Sequence, residues 1–475
     1  MVFSSSLFLL YFFPVFIILY FITPVKYKNY FALFASVLFY SWGGPRFIFI
    51  VAASIIADFY IIRTMSMTQE GKRKNLFLAL SVILNVGLLL YFKYANFFVD
   101  NINSALTGMG FSNLSWTRVA LPIGISFFTF QKLSYSVDVY RKVHKSLSKI
   151  SDYALYIILF PQLIAGPIVR FHEIADQLVD RSKQYTIDNK LIGFYRFVIG
   201  LSKKVLIANV LGAEVDRIFA LGGAELNTPL AWFGVIAYSF QIYYDFSGYS
   251  DMAIGIGRMM GFVFPENFNN PYISWNITEF WRRWHITLGR WMRDYLYIPL
   301  GGSKVSTKRR LFFNLWVVFL ISGLWHGAAW NFVIWGGFHG LFLVLDKIFL
   351  IKFTKKIGQI PSIFLTYLIT LIGWVLFRAS SIDHAFVYIK KMFSTDIRDK
   401  GLELTPDIWI ILIIAFFFAF FAAISGVEKW QNKMLNEKYK LKPAILMTMA
   451  AIIFFALCVA SITSSGFNPF IYFRF

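Results

Sequence analysis

Residues 311–345 contain no Asp, Glu, Lys or Arg. The stretch is far longer than the roughly 20 apolar residues a helix needs to cross a bilayer. In hydrocarbon every backbone N–H and C=O must be satisfied by the chain itself, so only helices and closed barrels can span. A barrel would show segments of about 10 residues alternating in and out, and this stretch does not alternate. His326 sits near its middle. An ionisable group at membrane depth is costly and marks a functional site by default. An imidazole titrates within reach of neutral pH, so it can serve as a base.

The rest of the chain agrees. Of its 475 residues 58% are hydrophobic, 20% aromatic and only 15% charged, against about 25% charged in a soluble protein. Apolar runs fall near 5–22, 30–42, 47–62, 76–98, 119–137, 153–169, 191–212, 228–245, 248–263, 311–325, 328–350, 361–378, 407–426 and 444–464. Several are too short to cross alone. The expectation is an all-α polytopic membrane protein of about 11 transmembrane helices with re-entrant and interfacial pieces. Leu7 to Tyr20 reads as a first span that is retained, because no basic region precedes it. No linker or repeat divides the chain, so residues 1–475 read as a single membrane-embedded domain, with the candidate chemistry-bearing segment at roughly 240–346.

The net charge of +21 comes from Lys and Arg clustered between apolar runs. That pattern marks cytoplasmic loops and anionic lipid headgroups, with no module for nucleic acid. The basic connectors place the N-terminus outside, and the expected location is the plasma (inner) membrane, crossed several times. The single cysteine, Cys458, excludes an intramolecular disulfide and a cysteine metal site.

Segment 265–310 departs from plain spanning helices. Trp281, Trp284, Leu288, Trp291 and Tyr295 recur at steps of three and four, opposite Arg282, Arg283, Arg290 and Arg293. This predicts one amphipathic helix at the membrane interface, with His285 at the edge of the aromatic stripe. Asn276 is the expected N-cap, ahead of Thr278.

Of the six histidines, His144 and His384 fall in polar connectors, and His172 follows an apparent turn. His339 shares the charge-free stretch with His326. Their spacing puts them on roughly opposite faces of a continuous helix, and Gly336-Gly337 is the expected break between them. His339 therefore reads as a packing residue and His326 as a reactive one. Gly323 with Gly327, and Gly336 with Gly340, suit close helix approach or a narrow tunnel. Asp245 and Asp251 need partners at membrane depth, for which Arg258 and Arg378 are the sequence candidates. No zinc-protease helix, hydrolase elbow or phosphate-binding glycine loop occurs, and no metal is expected.

Four motifs carry a resemblance. They are residues 244–255 (Tyr244-Asp245-Phe246-Ser247-Gly248 onward), Pro265-Glu266-Asn267-Phe268, Phe280-Trp281-Arg282-Arg283-Trp284-His285, and Ser322-Gly323-Leu324-Trp325-His326-Gly327. Together the chain resembles the membrane-bound O-acyltransferase family. Residues 293–302, from Arg293-Asp294-Tyr295 to Gly301-Gly302, are similar to its bacterial alginate O-acetyltransferase branch. The resemblance implies that His326 and His285 are the catalytic pair. It also implies a central funnel or tunnel joining a cytoplasmic acyl donor to an extracytoplasmic acceptor.

On that footing the expected activity is an O-acetyltransferase drawing on acetyl-CoA, with no bound cofactor. The acetyl group would go to an extracytoplasmic polysaccharide such as alginate, through a separate extracytoplasmic acetyltransferase. Trp281, Arg282, Arg283, Trp284, Trp325, Asn331, Arg309 and Arg310 are the expected substrate-binding residues, the arginines by charge-assisted bonds to phosphate. Two alternatives stand beside it: D-alanyl or other acyl transfer to a cell-wall polymer, and a polysaccharide transporter or channel using buried charges as a proton relay.

Overall fold

A computed structural model describes residues 2–398, 404–465 and 470–471. Helices make up the architecture, and no strand occurs among the described residues. Six helices are long and apolar enough to cross a membrane: Phe47–Met67, Lys72–Gly108, Trp330–Ile357, Gln359–Arg378, Pro406–Ala423 and Leu441–Ser464. The chain forms two compact units. One comprises Leu7–Thr186 and Gly257–Pro265; the other comprises Val2–Ser6, Ile187–Ile256 and Glu266–Phe475.

The first unit contains α1 (Phe47–Met67), α2 (Lys72–Leu89), α3 (Ile125–Tyr140) and α4 (Ile150–Ile158). These helices enclose Asp58, which is fully buried. Its carboxylate accepts hydrogen bonds from Ser81 Oγ at 2.5 Å and Asn85 Nδ2 at 2.9 Å, and from the Tyr153 hydroxyl. Lys132 Nζ donates to Ser54 Oγ at 2.6 Å. A buried charge is tolerable only when it is bonded in this way. Two histidines are also accounted for here. His172 Nδ1 lies 2.9 Å from Asp138 Oδ2, and His144 Nε2 lies 3.1 Å from Asp176 Oδ1.

The second unit contains α5 (Ile187–Ser202) and most of α6 (Thr228–Met259). The sequence suggested separate segments at 228–245 and 248–263, but α6 runs unbroken through Gly248. That glycine serves packing. A Cβ at Gly248 would come within 2.6 Å of the Gly200 carbonyl oxygen, and one at Gly255 within 2.5 Å of the Gly193 carbonyl. Two glycines on each helix let the backbones of α5 and α6 touch.

The same contact pairs the acids of α6. Arg196 Nη2 meets Asp251 Oδ1 at 2.9 Å, and Lys203 Nζ meets Asp251 Oδ2 at 2.7 Å. Arg196 also donates to Glu266 at 2.6 Å, and Lys204 pairs with Asp245. Structural ion pairing is thus correct, but the partners are not those the sequence suggested; Arg378 pairs with Asp216 at 2.7 Å. Spacing along one helix could not identify cations supplied by another. Lys203 and Lys204 lie in a widened turn, Lys203–Ala208, and each takes a different acid of α6.

The candidate catalytic segment follows. α7 (Ile277–Arg283) and α8 (Ile286–Met292) replace the single interfacial helix expected over the Trp281–Tyr295 stripe. The aromatic spacing holds within each piece, but the chain breaks at Trp284-His285, where His285 adopts φ 45° and ψ 52°. Asn276 caps α7 as expected, its side chain accepting from Glu279 N at 2.8 Å. Thr278 instead donates through N and Oγ1 to Asp346 Oδ2, both at 2.7 Å.

The charge-free stretch folds as α9 (Lys308–His326) and α10 (Trp330–Leu345). The break falls directly after His326, not at Gly336-Gly337, which lie inside α10. Those glycines again serve approach. A Cβ at Gly323 would run into the Phe332 carbonyl, and one at Gly336 into the Phe319 carbonyl. α11 (Gln359–Arg378) packs against α10 and completes the wall behind the histidines.

Candidate functional site

His285 and His326 come from different elements and meet with ring centroids 6.4 Å apart. His326 ends α9 and is 6% exposed. Its imidazole lies edge-on to Trp325 (5.0 Å), Trp335 (5.2 Å) and Phe377 (5.4 Å). His285 is 1% exposed and meets the edge of Phe246 at 4.7 Å.

A fully buried asparagine sets the chemistry of His285. Asn267 Nδ2 donates to Ser250 Oγ at 3.0 Å, which leaves Oδ1 as the acceptor. That oxygen accepts from Thr287 Oγ1 at 2.8 Å and from His285 Nδ1 at 3.0 Å. The proton of a neutral His285 therefore sits on Nδ1, and Nε2 carries a lone pair. Nε2 is buried with no hydrogen-bond partner among the described residues. A positive φ at a residue with a Cβ is strained and persists where the surroundings over-determine it. Here Ile286 N also donates to the Asn267 carbonyl at 2.9 Å, so one residue holds both backbone and ring.

A cavity of about 20 Å³ opens on His326, room for about one water. Its walls are Ile242, Phe246, Trp284, Trp335, Trp374, Phe377, Phe470 and Ile471. The last two come from near the C-terminus. The Ile471 N–H donates to Asp245 Oδ2 at 2.8 Å, and the Phe470 ring lies 4.8 Å from Tyr249. A dry aromatic wall of this kind strengthens polar interactions within it.

A second, larger cavity of about 490 Å³ is lined by Asn269, Asn276, Thr278, Glu279, Arg282, Arg283, Lys347 and Ile351. Arg283 is committed to Glu279 at 3.0 Å and Glu428 at 3.2 Å. Arg282 is exposed and has no ion-pair partner among the described residues. Lys347 is likewise exposed on the rim.

The expected substrate-binding residues therefore divide. Trp284 lines the cavity at His326, Trp325 packs on His326, and Arg282 and Arg283 line the larger cavity. Trp281 lies edge-on to Trp335 at 5.5 Å, and Trp335 in turn contacts His326. Asn331 is tied down structurally, its Nδ2 donating to the Ala379 carbonyl at 3.1 Å. Arg309 and Arg310 lie in the exposed first turn of α9 and line neither cavity; Arg310 donates to the Leu300 carbonyl at 3.3 Å. Among the described residues, no group of three His, Cys, Asp or Glu side chains is placed to hold a metal ion.

Sequence reasoning missed Asn267, Lys347, Phe470 and Ile471. Asn267 left no local signal, because its burial, which obliges it to be bonded, is set by the fold and not by its neighbours in Pro265-Glu266-Asn267-Phe268. His339 is buried, and the helix break directly after His326 removes the argument from opposite faces of one helix. Trp335 lies 5.2 Å from His326 and 5.0 Å from His339, so one indole contacts both histidines.

The sequence profile of the membrane-bound O-acyltransferase family matches residues 34–377. The probable alginate O-acetylase of Azotobacter vinelandii is 38% identical, with all of both chains covered. The peptidoglycan O-acetyltransferase of Helicobacter pylori is 38% identical over 82% of this chain and 80% of its own. The teichoic acid D-alanyltransferase of Bacillus subtilis is 28% identical over 55% of this chain and 70% of its own.

Proposed function

The chain belongs to the membrane-bound O-acyltransferase family, and on that premise we propose that this multi-pass membrane acyltransferase moves acetyl groups from a cytoplasmic acetyl-CoA to an extracytoplasmic polysaccharide. The observation that carries the reading is the pairing of His285 and His326 at 6.4 Å beside a cavity walled by aromatic side chains. Membership of a family of transferases favours group transfer over transport.

In the proposed reaction an acceptor hydroxyl attacks the thioester carbonyl while His326 takes its proton. A C–O bond forms and the C–S bond breaks. The proton passes from His326 to the departing thiolate, leaving an O-acetyl ester and a free thiol. His285 presents a lone pair at Nε2, so its role is to accept a hydrogen bond and orient the hydroxyl rather than to donate to the carbonyl.

Arg282 and Lys347 at the 490 Å³ cavity supply charge for the donor's phosphates. The similarity to alginate and peptidoglycan O-acetyl transferases favours acetyl over D-alanyl transfer, because the D-alanyl relative aligns over only 55% of this chain. The acceptor of choice is an alginate-like polysaccharide, reached through a separate extracytoplasmic acetyltransferase.

The test uses purified full-length protein with radiolabelled acetyl-CoA and, in cells, the acetyl content of the polysaccharide. His326→Ala is expected to abolish transfer while the protein still accumulates in the membrane. Normal acetylation by that variant would sink the mechanism.

A further inference from the structure

Residues 266–269 form a short segment between α6 and the break at His285. Two rungs tie it to α6. In one, Asn267 Nδ2 donates to Ser250 Oγ at 3.0 Å. In the other, Arg196 of α5 bridges the adjoining residues, Glu266 and Asp251. Arg196 donates from Nη1 to Glu266 Oε1 at 2.6 Å and from Nη2 to Glu266 Oε2, so both prongs of its fork grip one carboxylate. Its Nε and Nη2 also donate to Asp251 Oδ1, at 3.1 and 2.9 Å. The opposite side of the segment meets the helix break. There Asn269 N donates to the Arg283 carbonyl at 2.9 Å, and Asn267 accepts from Ile286 N and His285 Nδ1.

Arg196 is 3% exposed and stands between Gly193 and Gly200, the glycines that bring α5 against α6. A buried guanidinium needs counter-charge. Asp251 supplies part of it from the facing helix, while also holding Lys203 at 2.7 Å. The second carboxylate comes from the segment that carries Asn267. A bidentate arginine–carboxylate pair fixes the plane of the carboxylate as well as its distance, which the point charge of a lysine cannot do. Residues 250 and 251 are thereby held in register with 267 and 266, one rung through an amide and one through ions. That register aims Asn267 Oδ1 at His285.

We propose that Arg196 is a positioning residue for His285. Its grip on Glu266 sets Asn267, and Asn267 sets the imidazole. This rests on the acyl-transfer reading above, in which His285 orients the acceptor hydroxyl. The two halves of one ion cluster then do separate work. Arg196 with Glu266 serves turnover, and Lys203 with Asp251 serves stability.

The experiment measures thiol release from acetyl-CoA by the purified full-length protein, acetyl content of the polysaccharide in cells, and melting temperature in detergent. Glu266→Ala removes a side chain that is already 42% exposed, and Arg196→Lys keeps the charge without the fork. Each is expected to lower kcat about tenfold, within the range for displacement of a reacting group from a distance, with KM for the donor within about twofold. Lys203→Met is expected to lower the melting temperature and keep kcat within about twofold. Coupling to Asn267 supplies a readout that a purely structural role would not move. Glu266→Ala combined with Asn267→Ala is expected to turn over no slower than Asn267→Ala alone, because Glu266 acts through Asn267.

Wild-type kcat in both Glu266→Ala and Arg196→Lys, or losses that multiply in the double variant, would show that Arg196 serves stability alone. If Lys203→Met lowers kcat as far as Glu266→Ala does, the cluster is one structural unit and the assignment is equally wrong. If His285→Ala turns over at the wild-type rate, the role of His285 falls, and that of Arg196 with it. If the wild-type protein releases no thiol from acetyl-CoA while cells still acetylate the polysaccharide, the donor reading falls instead. The acetyl content given by the same variants then decides the assignment of Arg196.

Discussion

Asn267 Oδ1 accepts a hydrogen bond from His285 Nδ1 at 3.0 Å, and the Asn267 carbonyl accepts from the next backbone N–H, that of Ile286, at 2.9 Å. The two bonds fix the ring's tautomer and the strained backbone together. A second residue orienting a reactive imidazole is a general device for setting which nitrogen does the chemistry.

Removing that support separates orientation from binding. Asn267→Ala leaves both histidines in place but frees the His285 ring. A loss in kcat of about 10- to 100-fold is expected, in the range of lost proton-transfer positioning, with KM for the donor nearly unchanged. Steady-state kinetics of the purified variant decide it. A change confined to KM would mean that Asn267 acts on donor binding.

How much of this was legible in the sequence depends on the range of the interaction. The spanning helices were legible because apolar length is a local property, and the Asn276 cap because its bond spans three residues. The break at His285 was not. Steps of three and four among Trp281, Trp284 and Leu288 persist within two short helices as well as in one long one, and the distinction lies with Asn267, outside the helix. The partners of Asp251 and the arrival of Ile471 at Asp245 were equally hidden, since each joins residues far apart in the chain. Gly336-Gly337 looked like a helix break because glycine has two uses, and only the neighbouring Phe319 carbonyl decides for packing.

That glycine contact gives a second prediction. At Gly336 an added methyl must push apart the backbones of α9 and α10, which end and begin around His326. Overpacking of this kind costs about 1–3 kcal/mol. Gly336→Ala is therefore expected to lower the melting temperature in detergent and to reduce activity with it. Full activity at an unchanged melting temperature would show that the two helices separate without cost.

The buried ions between α5 and α6 give a third. Asp251 holds both Arg196 and Lys203, so Asp251→Asn leaves two cations short of a counter-charge. Breaking a buried pair from one side costs about 3–5 kcal/mol, and Glu266 retains part of Arg196, which places this variant at the lower end. The check is thermal unfolding of the single variant against Asp251→Asn combined with Lys203→Met. The double variant is expected to recover part of the loss. An equal or greater loss would place the stabilisation in packing rather than charge.

The last prediction compares two pairs of basic residues, one lining a cavity and one not. Arg282 and Lys347 line the 490 Å³ cavity, whereas Arg309 and Arg310 stand in the exposed first turn of α9 and line neither cavity. A charge-assisted bond to phosphate is worth about 1.5–3 kcal/mol, or roughly 10- to 100-fold in affinity. Arg282→Gln with Lys347→Gln is accordingly expected to raise KM for acetyl-CoA at least tenfold. Arg309→Gln with Arg310→Gln is expected to leave it within about twofold, and the contrast should shrink as salt rises, because exposed charges are screened. The reverse ranking would move the donor's phosphates from the α7 cavity to the start of α9.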